Sequence, residues 1–234
     1  MLNRQSRREE KNLRTWPSND PKAALMGRKR LAIVRAARLA FLEGGYEKTS
    51  MDSIAQAAGV GIKTVYRHFE NKDDLFSAVM QAACNPNAFD EVSGTWTKPA
   101  AEPERPWFSK PPHIAFVAAG IEYLEHVLSD EQLALYRVVT RDAHSFPELG
   151  RRYKEQVVER SYEVFIHYLN RWVPSEGWKI RRKQHAAEIF VALLRAGIYD
   201  DVLHGLRTCS AAEIAAQSRR VAKTMLALLE FGCC

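Results

Sequence analysis

Cysteine is scarce in this chain of 234 residues, and its placement argues against the usual cysteine-based sites. The four cysteines are Cys84, Cys209, Cys233 and Cys234. They form no CxxC pair and have no histidines at the matching spacing, so neither a zinc site nor a disulfide framework is expected. The seven histidines are scattered along the chain and give no metal-binding pattern either.

Long apolar runs are lacking as well. No segment approaches the roughly 20 apolar residues that cross a bilayer, and no apolar stretch follows the basic N-terminal residues as it would in a signal peptide. We therefore expect a cytoplasmic protein without a membrane partner. The sequence also has no nucleophile motif and no glycine-rich phosphate loop. Neither catalysis nor a cofactor is expected.

Charge is unevenly distributed along the chain. Residues 1–30 contain nine basic and three acidic side chains, a surplus of six that equals the net charge of +6 of the whole chain. We interpret residues 1–27 as a basic, flexible N-terminal tail. Such a tail can lie along DNA phosphates or can be a solvated leader, and the sequence leaves both interpretations open.

Residues 49–76 have the pattern of two short helices joined by a tight turn. Four apolar residues of the first helix share one face: Met51, Ile54, Ala55 and Ala58. Thr49 and Asp52 have the spacing of a capping box that starts this helix, and Gly59 permits the left-handed backbone that ends it. The next helix buries Val65 and leaves polar side chains outward. This pattern predicts a helix-turn-helix unit.

The same residues resemble the N-terminal signature of the tetracycline-repressor-type (TetR) transcriptional regulators. The resemblance covers residues 30–83 and is carried by Thr49-Ser50, Ile54-Ala55, Ala58-Gly59-Val60, Thr64-Val65-Tyr66, His68-Phe69, Asn71-Lys72 and Leu75, with Ile33, Ala36-Ala37, Phe41 and Gly45-Tyr46 upstream. A short segment from Tyr136 to Leu149 is similar to the C-terminal domain of one branch. The resemblance implies an all-α fold with an N-terminal three-helix helix-turn-helix domain and a larger C-terminal helical domain for ligand binding and dimerisation.

The second helix and its flanks carry the side chains expected to contact DNA. Lysine, hydroxyl and small apolar groups at the start of such a helix suit guanine acceptors, phosphates and thymine methyls. The predicted contacts are Thr49, Ser50, Gly61, Ile62, Lys63, Thr64, Tyr66, Arg67, His68 and Lys72. Lys63 departs from the family, whose members more often carry a small residue or proline there. Any one of these residues alone is also consistent with packing or simple solvation, whereas their combination favours DNA contact.

The order of the segments predicts three regions after the tail. Residues 28–83 form the DNA-binding domain, with a first helix near 27–43 that Gly44 and Gly45 stop, and with Asn71 as the cap of its fourth helix. Residues 84–112 hold six of the ten prolines and read as a connecting loop. Residues 113–234 form the regulatory body, with helices predicted at 112–128, 130–144, 147–173, 181–205 and 210–230. Pro147, Pro174 and Gly177 separate some of these helices. Two of the helices start at capping boxes, Ser129–Gln132 and Ser210–Glu213.

The last two predicted helices have apolar stripes that suit either a dimer surface or the core of one chain. The first stripe is Ala187, Phe190, Val191, Leu194 and Ile198, and the second is Ile214, Val221, Met225, Leu228 and Leu229. The resemblance favours the dimer. The candidate residues for an effector pocket are Phe116, Tyr123, Tyr136, Arg137, Phe165, Tyr168 and Phe190, with His126 and His167 as further polar groups. Plain core packing is the alternative for each aromatic residue.

The sequence thus predicts a homodimeric regulator that binds double-stranded DNA at a palindromic operator. We expect a repressor that an unknown small-molecule effector releases from the DNA. Two other hypotheses stay open at this point. One is a protein-interaction module with the same fold that lacks DNA binding, and the other is an enzyme that uses the helical body.

Overall fold

The computed structural model describes residues 21–84, 89–90, 95–96 and 105–232. Over these residues the chain is almost entirely helical, which confirms the predicted all-α class. Within the described part, the strands are limited to β1 (Phe89–Asp90) and β2 (Thr95–Trp96), which pair antiparallel. Most of the predicted tail, most of the predicted connecting loop and the two C-terminal cysteines lie outside the described residues.

Four helices precede the connecting region: α1 (Pro21–Lys48), α2 (Met51–Ala57), α3 (Ile62–His68) and α4 (Lys72–Cys84). The first of them begins six residues before its predicted start. Proline suits the first turn of a helix, and the residues after Pro21 include strong helix formers, so the helix extends into the predicted tail. Its regular geometry breaks at Gly45, where φ is 81° and ψ is 172°. The predicted cap of α4 is confirmed, since Asn71 Oδ1 accepts the N–H of Asp74 at 2.9 Å.

The helices of the body are α5 (Pro112–Val127), α6 (Asp130–Asp142), α7 (Pro147–Tyr153), α8 (Glu159–Glu176), α9 (Lys183–Arg195), α10 (Tyr199–Leu203) and α11 (Ala211–Glu230). A π-helical turn, Lys154–Val158, joins α7 to α8. The predicted capping box at Ser210 is confirmed at the start of α11. Ser129 caps α6, but the amide of Gln132 donates instead to the carbonyl of Ala83 at 2.9 Å, so that box is incomplete.

Two predictions about helix ends in the body are wrong. The helix predicted over 181–205 is two helices, because the chain leaves helical geometry after Arg195 and Gly197 has φ of 76°. The amide of Gln217 donates to the carbonyls of Leu193 and Ala196 and so satisfies the broken end. Pro174 lies inside α8, which continues for two more residues before ending at a glycine.

Two large apolar cores and one smaller cluster, formed by Leu133, Tyr199 and Val202, hold the described helices together. The first core joins side chains of α1–α4 with residues of α6, α7 and the π-helical turn, namely Leu135, Val138, Val139, Leu149 and Val157. The second core is formed by α5, α8, α9 and α11, together with Trp107 and Phe108 from the segment before α5. The residues that pack with the DNA-binding helices therefore come from both sides of the connecting region.

The apolar stripes predicted as a dimer surface lie mainly inside one chain. Phe190 and Leu194 of α9, and Val221 and Met225 of α11, are at most 3% exposed within the single protomer. They belong to the second core, where α5 packs closely against α11. These side chains are therefore not available to a second copy of the chain, because they are already packed against helices of their own protomer.

Candidate nucleic-acid interface and effector cavity

The turn between α2 and α3 sets the direction in which α3 projects. Ser50 begins α2, and its hydroxyl oxygen accepts the backbone N–H of Ser53 at 3.1 Å. Gly59 then adopts φ of 65°, as the sequence predicted for this turn. Val65 of α3 is fully buried in the first core and fixes which face of α3 points inward.

The opposite face of α3 is open and basic. Lys63, Tyr66 and Arg67 are exposed, and 54% of the Tyr66 side chain faces solvent. Ile62 and Thr64 are half-buried in the first turn. Two cations and a phenol on one short helix face are suited to phosphate oxygens and to the acceptor edges of bases in a major groove.

Thr49 does not have the role that the sequence predicted. Its side chain is buried, and its hydroxyl donates to the carbonyls of Gly45 at 2.7 Å and Ala40 at 3.1 Å. These carbonyls lie in the last turns of α1, which departs from helical geometry at Gly45. The helix cap is therefore Ser50, one residue later, and the hydroxyl of Thr49 is not presented to a phosphate.

Lys72 is engaged within the fold. Its ammonium donates to the carbonyls of Tyr46 at 2.9 Å, Thr49 at 3.0 Å and Glu47 at 3.4 Å, which accounts for its three N–H donors. The same nitrogen lies 4.3 Å from the centre of the Tyr46 ring. Burial lowers the pKa of Lys72, partly offset by the charge of Asp73. The residue joins the end of α1 to the start of α4.

Arg30 supports α3 in a way that sequence reasoning missed. One of its terminal nitrogens donates to the carbonyl of His68 at 2.7 Å, and its guanidinium lies 4.2 Å from the centre of the Phe69 ring. The cation thus satisfies the C-terminal end of α3, where the helix dipole favours positive charge. Burial, followed by the charges of Arg30 and Arg67, lowers the pKa of His68 to about 4. His68 is therefore neutral near pH 7.

A cavity of about 230 Å³ lies in the body between α5, α8 and α9. Three of the predicted effector residues line it, Tyr123, Phe165 and Phe190. His126, predicted as a polar group for the pocket, also lines it. The cavity is completed by Arg105, Trp107, Ala119, Glu122, Val157, Arg160, Ser161, Val164 and Val191.

Residues 105–110, which we call the strap, close one side of this cavity. Glu122 of α5 accepts the indole N–H of Trp107 at 2.7 Å and forms an ion pair with Arg105. From α8, Trp172 donates to the carbonyl of Phe108 at 3.1 Å and Tyr168 donates to that of Lys110 at 2.8 Å. The strap is therefore bound to two of the helices that line the cavity.

Four of the predicted effector residues lie elsewhere. Phe116 and Tyr168 are buried in the second core and do not line the cavity. Arg137 donates through Nε to the carbonyl of Leu203 at 3.1 Å. Tyr136 packs edge-on against Tyr199, with ring centres 5.9 Å apart. The sequence pattern did not separate these residues from the cavity residues, because all of them are aromatic or polar positions on helices of the body.

The cavity wall is connected to the DNA-binding helices. Val157 of the π-helical turn lines the cavity and also belongs to the first core. Arg152 of α7 donates to the hydroxyl of Ser77 at 2.6 Å and to Asp74 at 3.3 Å, both on α4. Asp142 of α6 accepts the backbone N–H of Tyr46 at 2.6 Å. The cavity wall thus touches the first core through Val157, and α7 and α6 are hydrogen-bonded to α4 and to the end of α1.

The described part of the chain contains neither a cluster of metal-binding side chains nor a helix suited to a membrane. Within residues 21–84, 89–90, 95–96 and 105–232, no three or more histidine, cysteine, aspartate or glutamate side chains gather to hold a metal ion. None of the helices described there combines the length and apolar character needed to cross a bilayer.

Comparison with protein families gives two matches that follow each other along the chain. Residues 33–79 match the family of bacterial regulatory proteins of the TetR type, and residues 115–228 match the C-terminal domain of AefR-like transcriptional repressors. The first match covers α2 and α3 and most of α1 and α4, and the second covers the body that contains the cavity.

Individual relatives agree with these matches. The HTH-type regulator YhgD of Bacillus subtilis is 44% identical over 52 residues, which are 22% of this chain and 27% of that protein. The regulator SAB2452 of Staphylococcus aureus is 41% identical over 64 residues, 27% of this chain and 34% of that protein. The chain therefore matches only about a third or less of the length of these two relatives.

Solved structures extend the comparison to nearly the whole fold. The flavonoid-responsive regulator FrrA superposes with a TM-score of 0.71 at 26% identity, covering 86% of this chain and 96% of that one. A TetR-family regulator from Pseudomonas syringae gives a TM-score of 0.62 at 24% identity, with 86% and 96% covered, and supports the fold. The two family matches and the arrangement of α1–α4 identify this chain as a member of the TetR family, that is, as a transcriptional regulator with a helix-turn-helix DNA-binding domain and not an enzyme.

Proposed function

We propose that the protein is a homodimeric repressor, which a small molecule in the cavity releases from a palindromic operator. The observation that carries this proposal is the solvent-facing, basic side of α3, with Lys63, Tyr66 and Arg67 exposed opposite the buried Val65. In a recognition helix this arrangement places donors toward base edges and phosphates while the inward face holds the helix in place.

The proposed contacts differ in their chemistry. Lys63 reads guanine acceptors, and Tyr66 and Arg67 bind phosphates from the exposed side of α3. Gly61, Ile62 and Thr64 lie at its first turn and come closest to the bases. Ser50 faces a phosphate from the start of α2, because it is exposed and caps that helix. His68 and Lys72 act indirectly, because the imidazole is neutral and half-buried and the ammonium is bonded to carbonyls within the fold.

The proposed dimer uses faces of α9 and α11 that are open in the single chain. Ala192 is exposed on α9, Ala196 is exposed directly after that helix ends, and Ala216 is exposed on α11 next to the buried stripe. Small residues permit close approach of helices from a second copy, and two copies are needed to read two half-sites one helical turn, or a multiple of it, apart. The similarity to a family that forms dimers supports this part of the proposal.

The proposed release mechanism follows from the shared wall of the cavity. A ligand that prefers one position of Val157 and α7 also prefers one position of α4, because Arg152 ties the two helices together. Only such differential binding can shift the spacing of two DNA-binding units. The similar regulator FrrA is described as flavonoid-responsive, which supports an aromatic effector here as well.

Selection of bound fragments from random duplex DNA by the purified full-length chain tests this proposal. We expect an enriched palindrome and a dimer by light scattering. The matched control is the Lys63→Ala, Tyr66→Ala double variant, which changes two exposed residues and should fold normally while losing the enrichment. A wild-type protein that enriches no sequence under conditions where it is folded would instead support a protein-interaction module with this fold.

A further inference from the structure

The size of the cavity limits what it can hold. Its volume of about 230 Å³ exceeds the roughly 150 Å³ of an apolar cavity that binds one benzene ring. It is smaller than the roughly 300–1,000 Å³ that is usual for drug-sized ligands. One substituted ring or two fused rings therefore match this volume better than a three-ring flavonoid does.

The apolar wall favours a flat ligand. Phe165 and Phe190 stack almost parallel, with ring centres 4.2 Å apart and planes inclined by 11°. Trp107 contributes a third aromatic group from the strap. Aromatic side chains of this kind bind planar rings by stacking or by edge-to-face contact, in addition to the apolar area that is buried.

The polar part of the wall carries an excess of positive charge. Two guanidinium groups, those of Arg105 and Arg160, face the cavity with a single carboxylate, that of Glu122. Both oxygens of Glu122 are engaged by the strap, one by Arg105 and one by Trp107. A negatively charged ligand group therefore meets more basic than acidic side chains in this wall.

His126 supplies a hydrogen-bond donor next to these charges. It lies one turn after Glu122 on α5 and lines the cavity. Burial, followed by the charge of Arg105, lowers the pKa of His126, which favours the neutral imidazole. A neutral imidazole carries one N–H donor, which can bond to an acceptor on the ligand.

We propose that the effector of this protein is a small aromatic carboxylate, with one ring or two fused rings against Phe165 and Phe190 and the carboxylate toward His126 and Arg105. This inference rests on the proposed function, since it names the chemical class of the effector in the same cavity. It separates the ligand from that of FrrA by size and by charge. A carboxylate in this position also competes with Glu122 for Arg105 and thereby loosens the strap.

Calorimetric titration of the full-length protein with three probes tests the proposal. The probes are 2-naphthoate, its neutral amide 2-naphthamide, and the flavonoid naringenin. We expect 2-naphthoate to bind at least tenfold more tightly than the amide, and naringenin to give no binding. Equal affinity for acid and amide would overturn the charge argument, and stronger binding of naringenin would overturn the size argument.

Two variants locate the binding. Ala119→Leu fills the cavity from α5 and should abolish binding of 2-naphthoate, and His126→Leu should weaken it about tenfold. The control is His113→Leu on the exposed side of the same helix, which should leave binding unchanged. Thermal unfolding of each variant establishes that it is folded. Binding that survives both Ala119→Leu and His126→Leu would overturn the assignment to this cavity.

DNA binding measured on the same preparation separates this inference from the proposed function. A protein that binds its selected palindrome but none of the three probes retains the proposed DNA-binding function and loses the effector class. A protein that binds 2-naphthoate in the cavity but selects no DNA sequence retains the ligand class and loses the operator function. Release of the palindrome by 2-naphthoate, and not by the amide at the same concentration, supports both.

Discussion

The helix-turn-helix unit and the helical body arrange their polar side chains in opposite ways. In the unit, Lys63, Tyr66 and Arg67 project outward from a helix of seven residues, and one buried neighbour, Val65, fixes their direction. In the body, polar groups converge inward on a cavity from two helices, α5 and α8, and from the strap. The first arrangement depends on neighbours in sequence, while the second depends on contacts between distant segments.

The two regions nevertheless share one core. Leu135 of α6 and Leu149 of α7 are buried among side chains of α1–α4, although they follow the connecting region in sequence. The apolar core of the DNA-binding helices is therefore completed by side chains of the helical body. Side chains of α6 and α7 thus form part of the immediate surroundings of α4.

The largest effect is expected from Leu135→Ala, which tests this shared core. The side chain is 2% exposed, and its loss should lower the free energy of unfolding by about 2–5 kcal/mol. DNA affinity should fall as well, because the cavity left behind lies against the DNA-binding helices. Urea unfolding and DNA titration measure the two effects. The control is Leu206→Ala, at a site that is 74% exposed. If Leu135→Ala destabilised the body without any change in DNA binding, the shared core would have no functional meaning.

A smaller effect is expected from Lys72→Ala. Its comparison with Lys63→Ala distinguishes a lysine that is bonded within the fold from one that is exposed on α3. Lys72→Ala leaves the carbonyls at the end of α1 without their donor and should cost about 1–3 kcal/mol of stability. Lys63→Ala should change stability by less than about 0.5 kcal/mol, while it alters sequence preference and weakens binding to the preferred palindrome about tenfold.

Chemical denaturation and DNA titration of both variants at several salt concentrations check this contrast. A flatter salt dependence is expected for a lysine that contacts phosphate. Normal stability of Lys72→Ala together with a flatter salt dependence would return Lys72 to the set of direct phosphate contacts.

The smallest effect is a pH dependence of stability through His68. The folded pKa is about 4, whereas an unfolded histidine titrates near 6.5. The unfolded chain therefore takes up a proton first as the pH falls, so the contribution is fully present above about pH 6.5 and is lost toward pH 4. Because the ring is only half-buried, we expect about 1 kcal/mol between pH 7 and pH 5.

Urea unfolding at these two pH values measures that loss. His68→Asn should remove part of the pH dependence, and His113→Asn, at an exposed site, should retain all of it. The part that remains in His68→Asn is expected from His126, whose pKa is lowered in the same direction. An unchanged pH dependence in His68→Asn would contradict the burial of this imidazole.

The sequence was sufficient to predict the elements that depend on nearby residues. The turn at Gly59, the inward position of Val65 and the caps at Asn71 and Ser210 were all predicted, because each is determined by a few neighbouring side chains. The all-α class followed from the same helical periodicity together with the family resemblance.

The roles that the structure revises depend on tertiary contacts. Thr49 and Ser50 are both able to cap α2. Ser50 does so, because the hydroxyl of Thr49 is bonded to the carbonyl of Gly45, where α1 departs from helical geometry. Lys72 was assigned to phosphate because its partners on α1 are distant in sequence. Phe116 and Phe165 have similar apolar surroundings in sequence, yet only Phe165 lines the cavity.

The π-helical turn Lys154–Val158 fixes how α7 and α8, which it joins, are rotated relative to each other. Arg152, before the turn, donates a hydrogen bond to Ser77 of α4, while Ser161 and Phe165, after the turn, line the cavity. Wider winding over these five residues sets the rotational phase between the two ends, and a return to 3.6 residues per turn would rotate one end against the other by roughly a quarter of a revolution. Straightening this segment would therefore break either the hydrogen bond between Arg152 and α4 or the contacts of Ser161 and Phe165 with the cavity.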